Sequence, residues 1–253
     1  MSRRGRKRAD SGVSGCVIID KPTGCTSHDV VDQVRKALGT RKVGHAGTLD
    51  PDATGVLVLG VGLGTKLLQF VTGADKTYHG EIVFGVETST LDAAGDVVAT
   101  HDMTLSPDQV SAAAAASVGD IEQVPPMVSA IKIDGKRLHE LAREGIEVER
   151  PPRPVTIHRF DVTGEPEPGV FSIEVECSAG TYIRTLAADL GAHLGGGAHL
   201  RALRRTAVGR YEIGEAGLPD ECELRPVDEA VRGLARVDVD ACLLYTSPSP
   251  RDS

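Results

Sequence analysis

Two hydrophobic periods alternate along the chain, and together they predict a mixture of strands and helices. Apolar runs, and strict alternation of apolar with polar residues, are typical of strands. They predict strands at 15–20, 55–61, 77–86, 128–133, 153–163, 169–177 and 208–213. Apolar residues at helical spacing, bounded by capping residues or glycine, are typical of helices. They predict helices at 26–38, 64–71, 107–118, 136–143, 181–194 and 227–234.

The order of these elements favours an α+β fold. Strands and helices do not alternate strictly, which is typical of a mixed, largely antiparallel sheet with helices packed against it. The length of 253 residues is enough for one large domain. We therefore expect one domain over 15–234, preceded by a basic, flexible arm over 1–14.

The composition excludes several classes of protein. Hydrophobic residues make up 40% of the chain and charged residues 25%, which is ordinary for a globular protein and excludes wholesale disorder. No apolar run approaches the roughly 18 residues of a membrane span, and none follows the basic N-terminal run as in a secretory signal. Five cysteines without CxxC spacing predict reduced thiols in a cytoplasmic protein. The histidines and cysteines also lack the spacing of metal ligands.

The net charge of −8 argues against a nucleic-acid partner until its distribution is considered. The segment 77–131 contains no lysine or arginine and eight acidic residues, which account for the whole negative excess. Basic residues cluster elsewhere, at 3–8, 41–42, 132–137 and 201–210. Because a polyanion responds to the local field of such a surface, RNA is a compatible partner. Each cluster alone is equally compatible with solvated surface charge.

The loop at 42–55, Lys-Val-Gly-His-Ala-Gly-Thr-Leu-Asp-Pro-Asp-Ala-Thr-Gly, carries the first candidate chemistry. Its glycines and proline specify an irregular backbone between a helix and a buried strand, and functional residues concentrate in such loops. The proline that follows Asp50 biases it toward an extended conformation, whereas Asp52 can form a local turn. From these residues alone, a structural Asx-Pro turn remains the alternative to a catalytic carboxylate, and His45 is open to both interpretations.

Four further segments make the pattern specific. They are KTY at 76–78, PPMVSAIKIDGKRLHELAR at 125–143, CSAGTYIRTLAADLG at 177–191 and GGGAHLRALRRTAVG at 195–209. Together with GHAGTLDPDATGVL in the loop, in this order and at this spacing, they resemble the TruB family of tRNA pseudouridine synthases. The resemblance extends over about residues 15–214, and its most diagnostic motifs are GHxGxLDPxAxG and GTYIRxLxxDLG.

The resemblance implies the pseudouridine synthase fold and the isomerisation of uridine 55 in the T-loop of tRNA to pseudouridine. It implies no cofactor and no metal. Asp50 matches the family's catalytic aspartate, and three routes stay open for it: attack on the ribose anomeric carbon, addition to the pyrimidine ring, or removal of the ribose 2′ proton. Each route needs an ionised carboxylate close to a buried nucleoside.

Other residues match family positions around that carboxylate. Arg184 matches the arginine that pairs with the aspartate and is expected to keep it ionised. Tyr78 matches the tyrosine that stacks on the target base, which has to leave its stack to react, and the tyrosine hydroxyl is expected to help move the C5 proton. Lys21 and Tyr182 are expected at the rim of the pocket. The full set expected to bind the substrate, in the pocket or along RNA phosphates, is His45, Lys21, Tyr182, Leu203, Lys132, Arg204 and Arg205.

The resemblance also bears on the C-terminus and on partners. Family members carry a small C-terminal RNA-binding module, often of PUA type, and residues 235–241 are expected to be its start, with the rest largely missing. The last residues, 242–253, resemble the translation of a sequencing adapter and are expected to be non-native. The expected partner is tRNA, bound through its T-arm by a monomer in the cytoplasm, without a membrane or a metal.

Two alternatives come from other classes of protein. Asp20 at the end of an apolar strand suggests a phosphatase with an aspartate nucleophile, but Pro22 occupies the position where such sites place a second carboxylate. A non-catalytic RNA-binding or tRNA-folding protein on the same scaffold is the second alternative. The joint presence of Asp50, Tyr78 and Arg184 favours the enzyme.

Overall fold

A computed structural model describes most of the chain. The described residues are 12–129, 132–133, 136–137, 146, 148–235 and 237–238, with the backbone alone at 132–133 and 136–137. The basic arm expected at 1–14 and the module start expected at 235–241 therefore lie mostly outside the described residues, and the tail expected at 242–253 lies entirely outside them. Among the described helices, none is long and apolar enough to span a bilayer.

One large sheet forms the centre of the molecule. The described strands are β1 (Gly15–Lys21), β2 (Val43–His45), β3 (Thr54–Val61), β4 (Lys76–Phe84), β5 (Val86–Thr88), β6 (Val97–Thr100), β7 (Gly119–Gln123), β8 (Lys132–Ile133), β9 (Lys136–Arg137), β10 (Arg153–Glu167), β11 (Val170–Cys177), β12 (Ala198–Val208) and β13 (Tyr211–Glu212). The sheet has the order β1-β3-β12-β4-β11-β10-β7, with β2 beside β3 and β13 beside β12. Among the described strands of this sheet, only β12 and β3 pair in parallel. The predicted mixed, mostly antiparallel sheet is confirmed.

The helices pack on the sheet through their apolar faces. They are α1 (Ser27–Ala37), α2 (Leu68–Thr72), α3 (Pro107–Ala116) and α4 (Ile183–His193). A capping box between Thr26 and Asp29 begins α1, as the sequence predicted. Buried valines of α1 pack against β1 and β3, whereas α3 and α4 cover the core beneath β4, β10 and β11. The ends of β1, β3, β4 and β12 and the start of α4 thereby surround the loop at 46–53.

The central strand β12 was not predicted. The sequence analysis placed a strand only from 208, which is the last residue of β12. Two β-bulges, at Leu200/Ala202 and Arg205/Ala207, interrupt the pairing of β12 with β4. Because each bulge shifts which side chains face the core, the apolar–polar alternation that marks a strand is absent from this sequence.

Two predicted helices and one predicted loop also need correction. Lys136 and Arg137 form β9 of a short hairpin with β8, where the sequence analysis began a helix. The helix expected at 227–234 is a 3-10 turn at Val227–Val231, and the loop expected at 42–55 contains β2. These segments are short, so tertiary pairing outweighs local helical spacing in them.

The segment 213–232 covers the outer edge of β1. Gly217 N donates to Ile18 O at 3.0 Å, and Asp20 N donates to Gly217 O at 2.9 Å. Further along, Cys16 and Arg225 exchange backbone hydrogen bonds at 3.0 and 2.8 Å. These bonds satisfy edge groups of β1 that would otherwise remain unpaired. The strand that ends at Lys21 is thus fixed on both sides.

Glu215 holds this segment together. Its carboxylate accepts from Arg225 Nη1 at 2.9 Å and from Arg232 Nη1 at 2.7 Å, and the Arg232 guanidinium lies 4.4 Å from the centre of the Tyr211 ring. The hydrogen bonds from Arg232, from the backbone N–H of Glu212 and from Arg225 lower the pKa of Glu215 from 4.5 to about 2. Because the folded-state pKa is the lower one, this stabilisation is complete above about pH 4.5 and is lost as the pH falls toward 2.

We expect Glu215→Gln to lower the free energy of unfolding at pH 7 by about 1 kcal/mol, because an amide is a weaker partner for two arginines than a carboxylate is. Urea unfolding across the acid range measures this effect. The variant is expected to lose stability less steeply than the parent on acidification. Glu221→Gln, at an exposed position, is the matched control. Equal acid slopes for parent and Glu215→Gln would contradict the assignment.

Candidate active site

Asp50 and Arg184 form a bidentate ion pair. Asp50 lies in the loop between β2 and β3, and its side chain is 45% exposed. Arg184 lies in the first turn of α4, with a side chain only 5% exposed. Its Nε is 3.1 Å from Asp50 Oδ2, and its Nη2 donates to Asp50 Oδ1 at 3.3 Å. A fork-to-fork pair of this kind fixes both the position and the orientation of a carboxylate.

The remaining donors of Arg184 bind three other groups. Nη1 donates to Asp92 Oδ2 and to Thr90 O, both at 3.1 Å, and Nη2 donates to Val128 O at 2.9 Å. Every nitrogen of the buried guanidinium therefore lies next to an oxygen, which offsets the cost of its desolvation. These partners hold the guanidinium from the side opposite Asp50.

Asp92 is a member of the site that the sequence analysis missed. It was counted only as part of the acidic segment 77–131. In the structure it lies in the turn between β5 and β6, where its backbone oxygen accepts from Thr88 Oγ1 at 2.6 Å and its Oδ1 accepts from Ala94 N at 3.1 Å. Leu91 beside it has a φ of +64°, a strained value for a branched residue. The only signal in the sequence is an aspartate in a Ser/Thr-rich turn.

Opposing effects act on the pKa of Asp50. Burial among protein atoms raises the pKa, Arg184 lowers it, and Asp92 raises it further. The net direction is upward because desolvation is the largest effect. Arg184 thus opposes neutralisation of Asp50, as expected from the resemblance, without cancelling the effect of burial.

Lys21 holds the loop that carries Asp50 through backbone carbonyl groups. Its ammonium group, fully buried, donates to Ala53 O at 2.7 Å, to Pro51 O at 2.9 Å and to Pro22 O at 3.0 Å. Three carbonyl groups thus use all three donors of the lysine. The expectation that Lys21 lies at the rim and binds substrate is corrected: it fixes the backbone on the C-terminal side of Asp50.

Arg205 holds the same loop from β12. It is 1% exposed, and it donates to Val56 O at 2.8 Å and to Gly47 O at 3.2 Å. Gly55 is part of this contact, because a Cβ at that residue would lie 2.1 Å from Arg205 O. Arg205 was expected to bind RNA phosphates at the surface. Its burial corrects that expectation, and its carbonyl contacts give it the same role as Lys21 on the other side of Asp50.

Two cavities meet at the ion pair, and Asp50, Arg184 and Leu203 line both. The first cavity also contacts the loop at 47–49, Lys76 and Tyr182. The second continues between the loop at 51–53, the turn at 90–94 and residues 200–202 of β12. The expected pocket positions of Leu203 and Tyr182 thus agree with the structure.

The backbone of Tyr182 is held by a residue that the sequence analysis did not identify. Gln123, at the end of β7, accepts from Tyr182 N at 2.7 Å and donates to Tyr182 O at 3.1 Å. Because Tyr182 directly precedes α4, this contact fixes the start of the helix that carries Arg184.

Neither Tyr78 nor His45 is among the residues that line these two cavities. Tyr78 is 7% exposed in β4, and burial raises the pKa of its phenol, so the hydroxyl is protonated at neutral pH. His45 lies in β2, and burial lowers the pKa of its imidazole, which favours the neutral ring. Its Nδ1 is buried and has no hydrogen-bond partner among the described residues.

Arg204 and Lys132 were also expected to bind RNA phosphates. Arg204 is 42% exposed and forms a bidentate pair with Asp20, at 3.1 and 2.7 Å. The side chain of Lys132 lies outside the described residues. In the described part of the chain, no group of three or more His, Cys, Asp or Glu side chains could hold a metal ion.

Sequence comparisons identify close relatives. Residues 35–183 match the N-terminal domain of the TruB family of pseudouridylate synthases, and residues 184–229 match the C-terminal domain of tRNA pseudouridylate synthase B. A tRNA pseudouridine synthase B of Arthrobacter sp. (strain FB24) is 51% identical over 232 residues, which are 88% of this chain and 76% of that protein. A protein of the same name from Mycolicibacterium paratuberculosis (strain ATCC BAA-968 / K-10) is 54% identical over 91% of this chain and 78% of its own length.

Solved structures extend the similarity to more distant proteins. A chain in the crystal structure of a Cbf5-Nop10-Gar1 complex matches with a TM-score of 0.61 and 32% identity, over 78% of this chain and 50% of that one. A chain in the structure of an H/ACA RNP bound to a substrate RNA containing 2'-deoxyuridine matches with a TM-score of 0.64 and 25% identity, over 87% of this chain and 61% of that one. This chain thus spans only part of either solved chain and shares the fold of that part.

Lys21→Met tests whether the buried ammonium group holds the loop. We expect a loss of about 2 kcal/mol in the free energy of unfolding, because three buried carbonyl groups lose their donor. Urea unfolding measures the loss, with Lys42→Met at an exposed position as the control. A change of less than about 0.5 kcal/mol, the usual scatter of a surface substitution, would contradict this role.

Proposed function

The chain belongs to the TruB family of tRNA pseudouridine synthases, enzymes that isomerise uridine to pseudouridine, and we propose that its target is uridine 55 of the T-loop and that Asp50 is its catalytic carboxylate. The observation that carries the proposal is the Asp50–Arg184 pair at the junction of two cavities. A carboxylate that is oriented by a buried cation and still half exposed can meet a nucleoside that enters from solution.

The reaction exchanges one bond of the ribose for another. The bond between C1′ and N1 of uracil breaks, and a bond between C1′ and C5 forms. The proton leaves C5 for a base or for solvent, and N1 takes up a proton, so atoms and charge balance. Asp50 starts this exchange by attacking C1′, by adding to the ring or by removing the 2′ proton. In all three routes the carboxylate acts in its ionised form.

Arg184 and Asp92 prepare that carboxylate. Arg184 favours the ionised form of Asp50 against the effect of burial. Asp92 holds the guanidinium from the other side, so the fork of Arg184 is aligned before the substrate binds. Asp92 is therefore a positioning residue in this proposal.

The surrounding residues receive the base after it leaves the T-loop stack. Tyr78 supplies an aromatic face and a protonated hydroxyl, which suits stacking and later proton transfer at C5. Leu203 supplies an apolar wall between the two cavities. His45, as a neutral ring, fills space on the RNA side. Base flipping of this kind costs a few kcal/mol, which contacts with the unstacked base and RNA offset.

The RNA partner is tRNA, bound through its T-arm. Arg204 and Lys132 are proposed to contact its phosphates, and Arg204 would exchange part of its pairing with Asp20 for that contact. We further propose that the protein acts as a monomer in the cytoplasm, since its substrate is a large cytoplasmic RNA and its cysteines lack a redox motif.

We expect Asp50→Asn to reduce turnover at least about 10³-fold, because the amide cannot act as a nucleophile or base. Tritium release from C5-labelled uridine in an unmodified tRNA transcript measures turnover, since isomerisation frees the C5 hydrogen. Asp102→Asn, at an exposed position outside both cavities, is the control and should stay within a few-fold of the parent. Equal release by Asp50→Asn and the parent would contradict the role of Asp50. Tight RNA binding without release by the parent would instead favour the non-catalytic alternative.

We expect Asp92→Asn to lower kcat by about 10²-fold with a smaller change in KM, because Arg184 loses one of its anchors. The pH profile adds a second readout. Activity is lost as the pH falls through the pKa of Asp50, which lies above its usual 3.8, and the charge of Asp92 contributes to that rise. Removing the charge should therefore move the acid limb of kcat/KM, which reports the free enzyme, to lower pH. Asp96→Asn in the same turn is the control. An unchanged acid limb in Asp92→Asn would contradict this coupling.

A further inference from the structure

Two buried cations approach the same point of the loop that carries Asp50. Lys76 is the first residue of β4, on the same face as Tyr78, and is 7% exposed; Arg205 is 1% exposed. A Cβ placed on Gly47 would lie 3.6 Å from Lys76 Cε and 3.7 Å from Arg205 Nη1. Both side chains line the first cavity, together with Asp50 and Arg184.

The hydrogen bonds of Lys76 leave one donor for a ligand. Its Nζ donates to Thr72 O at 3.1 Å and to Ala74 O at 2.6 Å. An ammonium group has three N–H bonds, so the third has no protein acceptor among the described residues. Lys21 provides the contrast, because all three of its donors bind carbonyl groups and it lines neither cavity. Of the two buried lysines among the described residues, Lys76 is thus the one that a ligand can contact.

The charges in the cavity also point to an anion. Within the described part of the chain, no carboxylate oxygen lies within 4.0 Å of the charged nitrogens of Lys76 or Arg205. Arg184, by comparison, has two such carboxylates. Burial and the nearby Arg205 lower the pKa of Lys76 to about 8, and Cys177 and Asp75 oppose this shift only in part. A bound anion would neutralise this pair of charges and restore the pKa of the lysine.

We propose that Lys76, with Arg205 behind it, binds a phosphate group of the RNA backbone inside the first cavity, next to the nucleotide at Asp50. This inference rests on the proposed function, since the phosphate is the one that enters with the flipped nucleotide. Every nucleotide brings such a group, and contacts to phosphates fix the register of an RNA without reading its sequence. Lys76 is therefore a substrate-binding residue that orients the target.

Salt dependence of RNA binding tests this contact directly. The protein would carry Asp50→Asn to prevent turnover, and its affinity for an unmodified T-arm stem-loop would be measured by fluorescence anisotropy at several salt concentrations. Adding Lys76→Gln is expected to weaken binding about tenfold and to reduce the slope of log Kd against log salt by about 0.7 to 0.9, the value for one phosphate contact. Lys76→Arg keeps the charge and should keep most of the slope.

The same anisotropy measurement provides the control and the result that would overturn the proposal. Lys36→Gln removes an equal charge at an exposed position outside both cavities and measures the effect of net charge alone. If Lys76→Gln weakens binding but leaves the slope equal to that of Lys36→Gln, the lysine has only a structural role and the proposal is overturned. Thermal unfolding of each variant establishes that it is folded.

A pH series keeps the proposal testable if Lys76→Gln does not fold. A phosphate holds Lys76 in its charged form, so the affinity of the Asp50→Asn protein should fall about fourfold between pH 7.0 and pH 8.6, as expected for a free-state pKa of about 8. The neighbouring Cys177 does not titrate in this range, because burial raises its pKa to about 11. Lys76→Arg, whose guanidinium stays charged over this range, should show no such fall, and an equal fall in both proteins would overturn the proposal.

Tritium release by the unsubstituted protein separates this inference from the proposed function. Release together with an unchanged salt slope in Lys76→Gln would retain the function and overturn the phosphate site. A reduced slope without release by the parent would retain the phosphate site and overturn the function.

Discussion

A carboxylate can act in an enclosed site only if its charge is supported there, and most of the site described above follows from that constraint. Arg184 provides the opposite charge, and its own burial requires further oxygen partners. Asp92, Thr90 and Val128 supply them from two other segments of the chain. The demand for one ionised group at Asp50 thus brings together the loop before β3, the start of α4, the turn between β5 and β6 and the segment around Val128.

A second set of cations acts on the backbone instead of on carboxylates. Lys21 and Arg205 hold the loop through carbonyl groups on either side of Asp50. Carbonyl groups offset the desolvation of a cation without adding negative charge next to Asp50, where it would raise the pKa of that carboxylate further. The site therefore separates two tasks: carboxylates orient Arg184, and carbonyl groups anchor the cations that shape the loop.

Local signals in the sequence predicted α1, β1, β3 and most of the loop at 42–55 except for β2, because capping residues, apolar runs and glycines act over a few positions. The family motifs then indicated that Asp50 and Arg184 would meet, and the structure has them in contact. Burial of individual charged residues was not predictable in the same way. Arg205 belongs to a basic cluster of the sequence and Lys21 is an isolated lysine after an apolar strand, and only the tertiary fold surrounds both with carbonyl groups. Asp92 was missed because its partner, Arg184, lies 92 residues away in the sequence. Strand β12 was missed because its two bulges remove the expected alternation of apolar and polar residues.

The parallel pairing of β12 with β3 has a consequence for the order in which the protein acquires its site during synthesis. Thr54 pairs with Arg204, and Cys16 pairs with Arg225. Strands that are synthesised early therefore pair with segments that are synthesised much later. Such distant contacts slow folding, and a nascent chain emerges from the ribosome with its N-terminal part first. A chain interrupted before β12 would contain the whole Asp50 loop and lack Arg205, which fixes its shape. Translation must therefore proceed through most of the domain before the loop can take up its final shape.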